Sequence, residues 1–369
     1  MADLFPLDHP PEKLKGFHPL EVITFYRSCG QYGPLGDSWH LEIRGSVLAA
    51  VQGRMHKKAL IHLFKRVVKP DKDLEINQRF LDRTHLFLQD SRKGRSVPIS
   101  LAKRGYLLPN TLANGHFEST VTIPRRELED SIQEDAFGRK FVQFCSHLPV
   151  DDPRIFAGEI ELISQEGLSI ISDVDDTIKL SNVGDRKELL ANTFTREFRA
   201  IPGMRELYQT WAKQGVSFHY VSASPWQLYG PLVEWLDADG FPVGSMHLRH
   251  VRLRDFSGKK HREQALRSKK EKIQRLLRTY PYRRFILFGD SGEQDALIYG
   301  EVAKVFGNQI LHIAIRQLPD GSNGKSLSTI REALSHIPMN RWSVFREPDD
   351  LKAVSREIAE ALTTQPVLR

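Results

Sequence analysis

The spacing of hydrophobic and polar residues changes character near residue 165. Between Leu41 and Ile163, short β-branched and aromatic runs alternate with turn residues, a pattern typical of β-strands. The runs are LEIRGSVLA, VPIS, YLLP, HFESTVTI, KFVQFC and IFAGEIELI. Asn114-Gly115 stands between two of these runs and favours a tight turn. Residues 40–164 are therefore predicted to form an all-β, sandwich-like domain.

From Leu168 onward, apolar runs alternate with helical stretches. The runs LSIIS, SFHYVS, RFILFG and LHIAI predict strands of a parallel sheet covered by helices, an α/β domain over residues 165–369. In open sheets of this kind, ligands bind beyond the carboxyl ends of the strands. The residues directly after each strand are therefore the first candidates for chemistry.

Two further segments have weaker patterns. Residues 1–39 are rich in Pro, Gly and polar residues and are interpreted as an extension packed on the first domain. In the segment 55–68, apolar residues recur every fourth position among lysines and arginines, which predicts a basic amphipathic helix. Such a helix either packs on a neighbouring sheet or rests on an acidic membrane.

Composition narrows the class of protein. The 369 residues are 40% hydrophobic and 27% charged, which is typical of globular domains. We find no apolar stretch of the roughly 18–20 residues that a membrane-spanning helix needs, and no signal-peptide pattern at the N-terminus. Two distant cysteines, Cys29 and Cys145, predict neither a disulfide framework nor a zinc site. The expected location is cytoplasmic, with peripheral contact to a membrane left open.

Positive charge is concentrated in one segment. The chain has a formal net charge of +7, but residues 249–284 contain fourteen Lys/Arg and three Asp/Glu, a local net charge of +11. This segment indicates an anionic partner, such as a phosphorylated substrate or an anionic membrane, or else a solvated helix face. No recognised nucleic-acid motif accompanies it, so nucleic-acid binding is not expected.

Acidic residues follow two of the predicted strands. Asp173 and Asp175 come directly after LSIIS, and Asp290 and Asp295 come after RFILFG. Magnesium prefers oxygen ligands of this kind, so Asp173 and Asp290 are predicted to share one divalent ion. The alternatives are an acidic surface turn for the first pair and a favourably charged helix N-terminus for the second.

A hydroxyl and an amine complete the set of candidates. Ser222 ends the strand SFHYVS and is the better phosphate ligand, whereas Ser224 is expected to cap a helix that begins at Pro225. Helical spacing places Lys269 closest to the apolar face near Ile273, ahead of Lys270 and Lys272. Lys269 is predicted to point inward, or else to lie along the core with its ammonium in water.

Taken in order, these motifs resemble the haloacid-dehalogenase superfamily. ISDVDDTIK, YVSASPWQLY and FILFGDSGEQD are similar to one branch, the actin-patch-associated phosphatidate phosphatase family, over about Leu168 to Arg316. YLLPNTLANGHFESTV resembles, more loosely, the N-terminal domain of bacterial members. One departure is Ser268, where the family usually has the His of a His-Lys pair. The resemblance implies a haloacid-dehalogenase-like fold with a minimal cap.

The resemblance also implies a reaction. A magnesium-dependent phosphoric monoester hydrolase would convert phosphatidate to diacylglycerol and phosphate through an aspartyl-phosphate. The resemblance implies that Asp173 is the nucleophile and a metal ligand, and that Asp175 is the general acid/base and binds the metal through its backbone carbonyl. Asp290 and Asp295 would be further metal ligands. The implied phosphate ligands are Lys269, Ser222 and Thr177.

The short connection after the first acid pair predicts an open site that suits a substrate presented on a surface. Trp226 and Tyr229 then contact lipid, or else they pack in the core. Two other functions remain open at this point. One is hydrolysis of a soluble phosphomonoester, and the other is phosphatidate binding without catalysis.

Overall fold

A computed structural model describes residues 3–4, 16–33, 35–50, 74–251, 259–319 and 324–363. Within these residues the chain divides into two compact units. The first consists of the described parts of 1–54, 88–164 and 244–246, and the second of the described parts of 55–87, 165–243 and 247–369. The basic amphipathic helix predicted over 55–68 lies outside the described residues.

The first unit contains eleven described strands that form one hydrogen-bonded sheet. Most of its strand pairs are antiparallel, while β1 with β8 and β3 with β11 are parallel. The strands are β1 (Asp3–Leu4), β2 (Glu21–Tyr26), β3 (Ser28–Tyr32), β4 (Ser38–Ala49), β5 (Asp90–Ser91), β6 (Pro98–Leu101), β7 (Arg104–Leu107), β8 (His116–Pro124), β9 (Ile132–Glu134), β10 (Lys140–Ser146) and β11 (Ala157–Ile163). Each apolar run identified in this part of the sequence contributes to a strand.

The assignment of residues 1–39 to an extension was wrong for 21–32. Strands β2 and β3 in this range pair with β4, so they belong to the first unit's sheet. Alternation along β2 explains this, because Ile23 and Phe25 are buried while Val22 is exposed and Thr24 is half-buried. Six residues with such alternation are enough for a half-buried strand.

The core of the first unit consists of inward-facing aliphatic and aromatic residues. Phe25 contacts Phe117 and Phe144 edge-on, with ring centroids 5.9 and 4.8 Å apart. The turn predicted at Asn114-Gly115 is present, since Gly115 has a φ of +77° and its amide donates to the carbonyl of Leu112 at 2.9 Å. Glycine adopts that left-handed conformation without steric cost.

The second unit contains a six-stranded sheet with the order β14-β13-β12-β15-β16-β17. Strand β12 is parallel to β13 and to β15, and β16 continues the parallel arrangement to β17. The strands are β12 (Leu168–Ser172), β13 (Ser217–Pro225), β14 (Ser245–Arg249), β15 (Arg284–Asp290), β16 (Ile310–Arg316) and β17 (Trp342–Phe345). The predicted parallel sheet is thus confirmed.

Helices follow the strands of this unit in the predicted alternation. They are α1 (Leu74–Leu86), α3 (Arg186–Phe194), α4 (Met204–Ala212), α5 (Tyr229–Asp239), α6 (Lys259–Thr279), α7 (Asp295–Phe306), α8 (Leu327–Ala333) and α9 (Lys352–Thr363); the first unit has the single turn α2 (Arg125–Leu128). Helix α6 buries the predicted apolar face through Ile273, Leu276 and Leu277. Among the described helices, none has the length and apolarity needed to cross a lipid bilayer.

Candidate active site

The candidate site lies at the carboxyl ends of the three central strands of the parallel sheet. Strand β12 stands between β13 and β15, and Asp173 is the first residue after it. Asp290 is the last residue of β15, and Ser222 lies near the end of β13. Because these strands run parallel, their ends meet at one edge of the sheet.

Four carboxylates converge at this edge. Asp173, Asp290, Glu293 and Asp295 each have an oxygen within 4.8 Å of one another. The three aspartates are fully buried. Asp173 Oδ2 and Asp290 Oδ2 accept no hydrogen bond from any described residue. Buried, unpaired carboxylate oxygens are the ligand set that a hard divalent cation such as magnesium requires, so the residues present fit this ion.

Lys269 points into the acid cluster. Its Nζ lies 3.0 Å from Asp173 Oδ1, 2.5 Å from Asp295 Oδ1 and 3.2 Å from Glu293 Oε2. The neighbouring Lys270 instead pairs with Glu301. Helical spacing therefore selected the lysine that the structure brings to Asp173.

The cluster carries more negative charge than its lysine balances. Burial raises the pKa of Asp173 well above its usual range, and the nearby acids raise it further although Lys269 opposes them. Burial likewise raises the pKa of Asp290, with Asp295 and Glu293 adding to the effect. Burial disfavours the Lys269 ammonium, but Asp173 and Asp295 outweigh this and raise its pKa. Such a site is stabilised by an added cation.

Asp175 faces a different set of groups. Its Oδ1 lies 2.8 Å from the Lys179 Nζ and accepts a hydrogen bond from the Ser181 hydroxyl at 2.6 Å. Its Oδ2 accepts from the hydroxyls of Ser222 at 3.1 Å and Ser224 at 2.8 Å. Burial acts to raise the pKa of Asp175, but Lys179 and these hydrogen bonds bring it well below the usual range. The carboxylate is therefore ionised here and lies outside the four-acid cluster.

The predicted hydroxyl ligands are both buried. Ser222 donates to Asp175 and accepts from the amide of Ser224 at 2.9 Å. Thr177 Oγ1 has no hydrogen-bond partner among the described residues. The expectation that Ser224 caps a helix was wrong, because β13 continues to Pro225 and the Ser224 hydroxyl binds Asp175 instead.

Asp176 fixes the loop that presents Asp173 and Asp175. Its carboxylate accepts hydrogen bonds from the amides of Ser181, Asn182 and Val183 at 2.6–2.9 Å. Its backbone has a φ of +54° and its carbonyl accepts from Arg316 Nη1 at 2.8 Å. Aspartate tolerates that left-handed conformation better than most side chains do.

The second acidic loop depends on Gly289. A Cβ built there would lie 2.3 Å from Asp295 Oδ2, and this same oxygen accepts the amide of Asp290 at 3.2 Å. Asp290 Oδ1 accepts the amides of Gly292 and Glu293, which leaves Oδ2 as its unpaired oxygen. Only glycine permits the close approach of Asp295.

We expect Gly289→Ala to lower the free energy of unfolding by about 1–3 kcal/mol, because the added methyl group displaces the Asp295 carboxylate. Urea denaturation measures this change. Gly230→Ala in α5 is the matched control, since a Cβ there meets nothing within 4 Å and alanine favours a helix. Equal stability of the two variants would contradict the packing argument.

The two lipid-contact candidates are buried. Trp226 and Tyr229 are 7% and 8% exposed, and their ring centroids lie 6.0 Å apart. This placement favours the alternative of core packing. A role of these two residues in lipid contact stays a prediction.

Sequence reasoning missed three residues of this region. Glu293 joins the acid cluster, and the motif that contains it was identified without assigning this residue. Lys179 and Ser181 bind Asp175, four and six positions after it. Proximity in sequence was the available signal for all three.

The comparisons with known proteins concern mainly the second unit. Residues 168–317 match the family model described as phosphatidate phosphatase APP1, catalytic domain. This stretch is therefore similar to the APP1 catalytic domain. All four acids of the cluster, Asp175 and Lys269 fall within it.

Two curated yeast proteins match at the sequence level. An uncharacterised protein of Schizosaccharomyces pombe is 34% identical over 207 residues, which are 53% of this chain and 33% of that protein. Phosphatidate phosphatase APP1 of Saccharomyces cerevisiae is 38% identical over 161 residues, which are 42% of this chain and 26% of that protein. The chain thus spans a third or less of the length of these relatives.

Solved structures add little. A β-glucuronidase of Parabacteroides merdae aligns with 92% of this chain and 39% of its own at 11% identity, with a TM-score of 0.29. A structural similarity with so low a TM-score supports no conclusion about fold or function.

Proposed function

We propose that this protein is a magnesium-dependent phosphatidate phosphatase that hydrolyses phosphatidate to diacylglycerol and phosphate. The proposal depends on one observation above all. In the stretch similar to the APP1 catalytic domain, the Asp173 carboxylate lies in a buried acid cluster beside Lys269. The order of the motifs along a parallel sheet supports a haloacid-dehalogenase-like fold for the second unit.

Asp173 is the proposed nucleophile. Its Oδ1 is held by Lys269 at 3.0 Å, which fixes the orientation of the carboxylate and leaves Oδ2 unpaired. Attack of that oxygen on phosphorus would form an aspartyl-phosphate and release the diacylglycerol oxygen. Covalent catalysis of this kind replaces one difficult displacement by two easier steps.

Asp173, Asp290, Glu293 and Asp295 would hold the magnesium ion, with the backbone carbonyl of Asp175 as a further ligand. When bound, the ion would offset the repulsion between the carboxylates and the phosphate. Lys269, Ser222 and Thr177 are the proposed ligands of the phosphate oxygens. Of these, Thr177 brings a buried hydroxyl with no partner among the described residues.

Asp175 is the proposed acid/base. As an ionised carboxylate it is ready to take a proton from the water that attacks the aspartyl-phosphate. To protonate the leaving oxygen in the first step, it must carry a proton and so give up its ion pair with Lys179. The contacts of Asp175 with Ser222 and Ser224 keep its carboxylate at the end of β13, near the proposed phosphate ligands.

The first test is phosphate release from phosphatidate in mixed micelles. We expect release with magnesium, loss of release in excess EDTA, and recovery when magnesium is restored. The same assay on a panel of soluble phosphomonoesters separates the lipid phosphatase from a general phosphatase. No release from any phosphoester would leave phosphatidate binding without catalysis.

A further inference from the structure

Three segments lie together at one end of the first unit's sheet: the start of β2 at Glu21, the loop before β8 and the loop between β10 and β11. Glu21 pairs with Ala49 at the end of β4, and the loop before β8 lies at this same end because His116 pairs with Ser46. The loop between β10 and β11 joins them, since Arg154 Nη1 donates to the carbonyl of Glu21 at 2.7 Å. Segments distant in sequence therefore form one surface.

Two half-buried arginines, Arg95 and Arg154, hold these segments in place. Arg95 donates to the Glu21 carboxylate at 2.5 Å and to the carbonyl of Gly16 at 2.7 Å. The amide of Arg95 donates to the Thr111 hydroxyl at 2.9 Å, which ties the loop before β8 to the same group. Arg154 pairs with Asp152 at 2.6 Å. The loops are thus fixed by charge-assisted hydrogen bonds.

Each of these segments carries an exposed aliphatic side chain. We call this set the apolar tip: Val22 (44% exposed), Leu112 (64%), Val150 (106%) and Ile155 (78%). Single exposed aliphatic residues are ordinary, but these four lie on segments that hydrogen bonds join at one end of the sheet. Transfer of these side chains out of water is favourable wherever an apolar medium is available.

The form of the apolar tip fits a lipid bilayer better than a protein. Four separate aliphatic side chains bury far less than the roughly 1,000 Å² of total area that a stable protein interface requires. A bilayer needs no complementary shape, and side chains on separate loops can enter it independently. Glu21 and Asp152 are each paired with arginine and so repel anionic headgroups little, whereas the exposed Asp151 favours neutral over anionic lipid.

We infer that the apolar tip inserts shallowly into the interfacial region of a lipid bilayer and holds the protein at the membrane surface. The inference deepens the proposed function, on which it rests for the choice of a lipid surface as the partner. Docking through the first unit raises the local concentration of a membrane-bound substrate. It requires no lipid contact by Trp226 or Tyr229, which are buried.

The test is co-sedimentation of the whole chain with phosphatidylcholine vesicles, with and without phosphatidate. The variant combines Leu112→Ser, Val150→Ser and Ile155→Ser, and we expect its partition coefficient to fall at least about tenfold on both vesicles. The control is Leu35→Ser, which replaces a leucine 87% exposed in the turn at the opposite end of β4. We expect this control to bind like the original protein.

A second measurement guards against misfolding of the triple variant. Ile155→Trp should give a blue shift of its added fluorescence when vesicles are present, and Leu35→Trp should give none. Binding of the triple variant equal to that of the original protein would overturn the inference. So would loss of self-association in the triple variant by light scattering, which would assign the tip to contacts between copies.

Failure of this inference is distinguishable from failure of the proposed function. Vesicle binding needs no turnover, so a protein that binds vesicles but releases no phosphate retains the tip and loses the enzymatic proposal. Hydrolysis of a dispersed short-chain phosphatidate should be the same in the triple variant and the original protein. Release from this dispersed substrate without any vesicle binding would retain the enzymatic proposal and reject the tip.

Discussion

Replacement of Asp173 by asparagine should lower the rate of phosphate release from phosphatidate by about 10³-fold or more. The amide cannot attack phosphorus as a carboxylate does, and no other described carboxylate has the same position at the end of β12. Steady-state phosphate release in the presence of magnesium measures the effect. A chemical trap for acyl phosphate should also detect phosphorylated protein in the original chain and none in Asp173→Asn.

Measuring the free energy of unfolding distinguishes a catalytic defect of Asp173→Asn from a folding defect. Asp173→Asn removes a buried carboxylate that desolvation and the neighbouring acids disfavour, so in EDTA we expect the free energy of unfolding to rise. Asp237→Asn, an exposed position in α5, should leave activity unchanged. Full activity of Asp173→Asn would contradict its assignment as nucleophile.

Replacement of Lys269 by methionine should reduce both activity and stability. The variant leaves Asp173 and Asp295 without their ammonium partner, and removal of one member of a buried ion pair costs about 3–5 kcal/mol. We expect kcat/KM for phosphatidate to fall by at least about 10²-fold, since a preorganised charge beside the reacting phosphate is lost. Urea denaturation and initial rates measure the two effects.

The adjacent lysine provides a matched control. Lys270 pairs with the half-exposed Glu301, and surface ion pairs contribute about 0–1 kcal/mol. Lys270→Met should therefore change neither the rate nor the stability by a large factor. Equal effects of the two substitutions would mean that the charge of helix α6, rather than the position of Lys269, is what matters.

Much of the site could be predicted because it depends on position along strands and helices. Residues that follow adjacent parallel strands lie at the same edge of the sheet. The proximity of Asp173 and Asp290 could therefore be predicted from the sequence. Helical spacing relative to Ile273 identified Lys269. Both predictions follow from the periodicity of strands and helices, which is visible in the spacing of apolar residues along the sequence.

The remainder depends on side-chain direction within loops. Nothing in the sequence determines that Asp175 turns toward Lys179 and Ser224, because the loop conformation follows from the backbone of Asp176 and its bonds to later amides. Glu293 could not be separated from an exposed acid for the same reason. Strands β14 and β17 were missed because each is short and lacks a clear alternation.

The contacts of Lys269 link folding of the second unit to the proposed activity. The Lys269 ammonium, on helix α6, contacts the loop after β12 almost a hundred residues earlier, the loop after β15 and the first residue of α7. None of these segments can form the cluster alone, so assembly of the site and cooperative folding of the second unit are a single event. The proposed phosphatase activity should therefore rise in step with the fraction of native molecules during refolding, with no partially active intermediate. A proteolytic nick within α6 should abolish it.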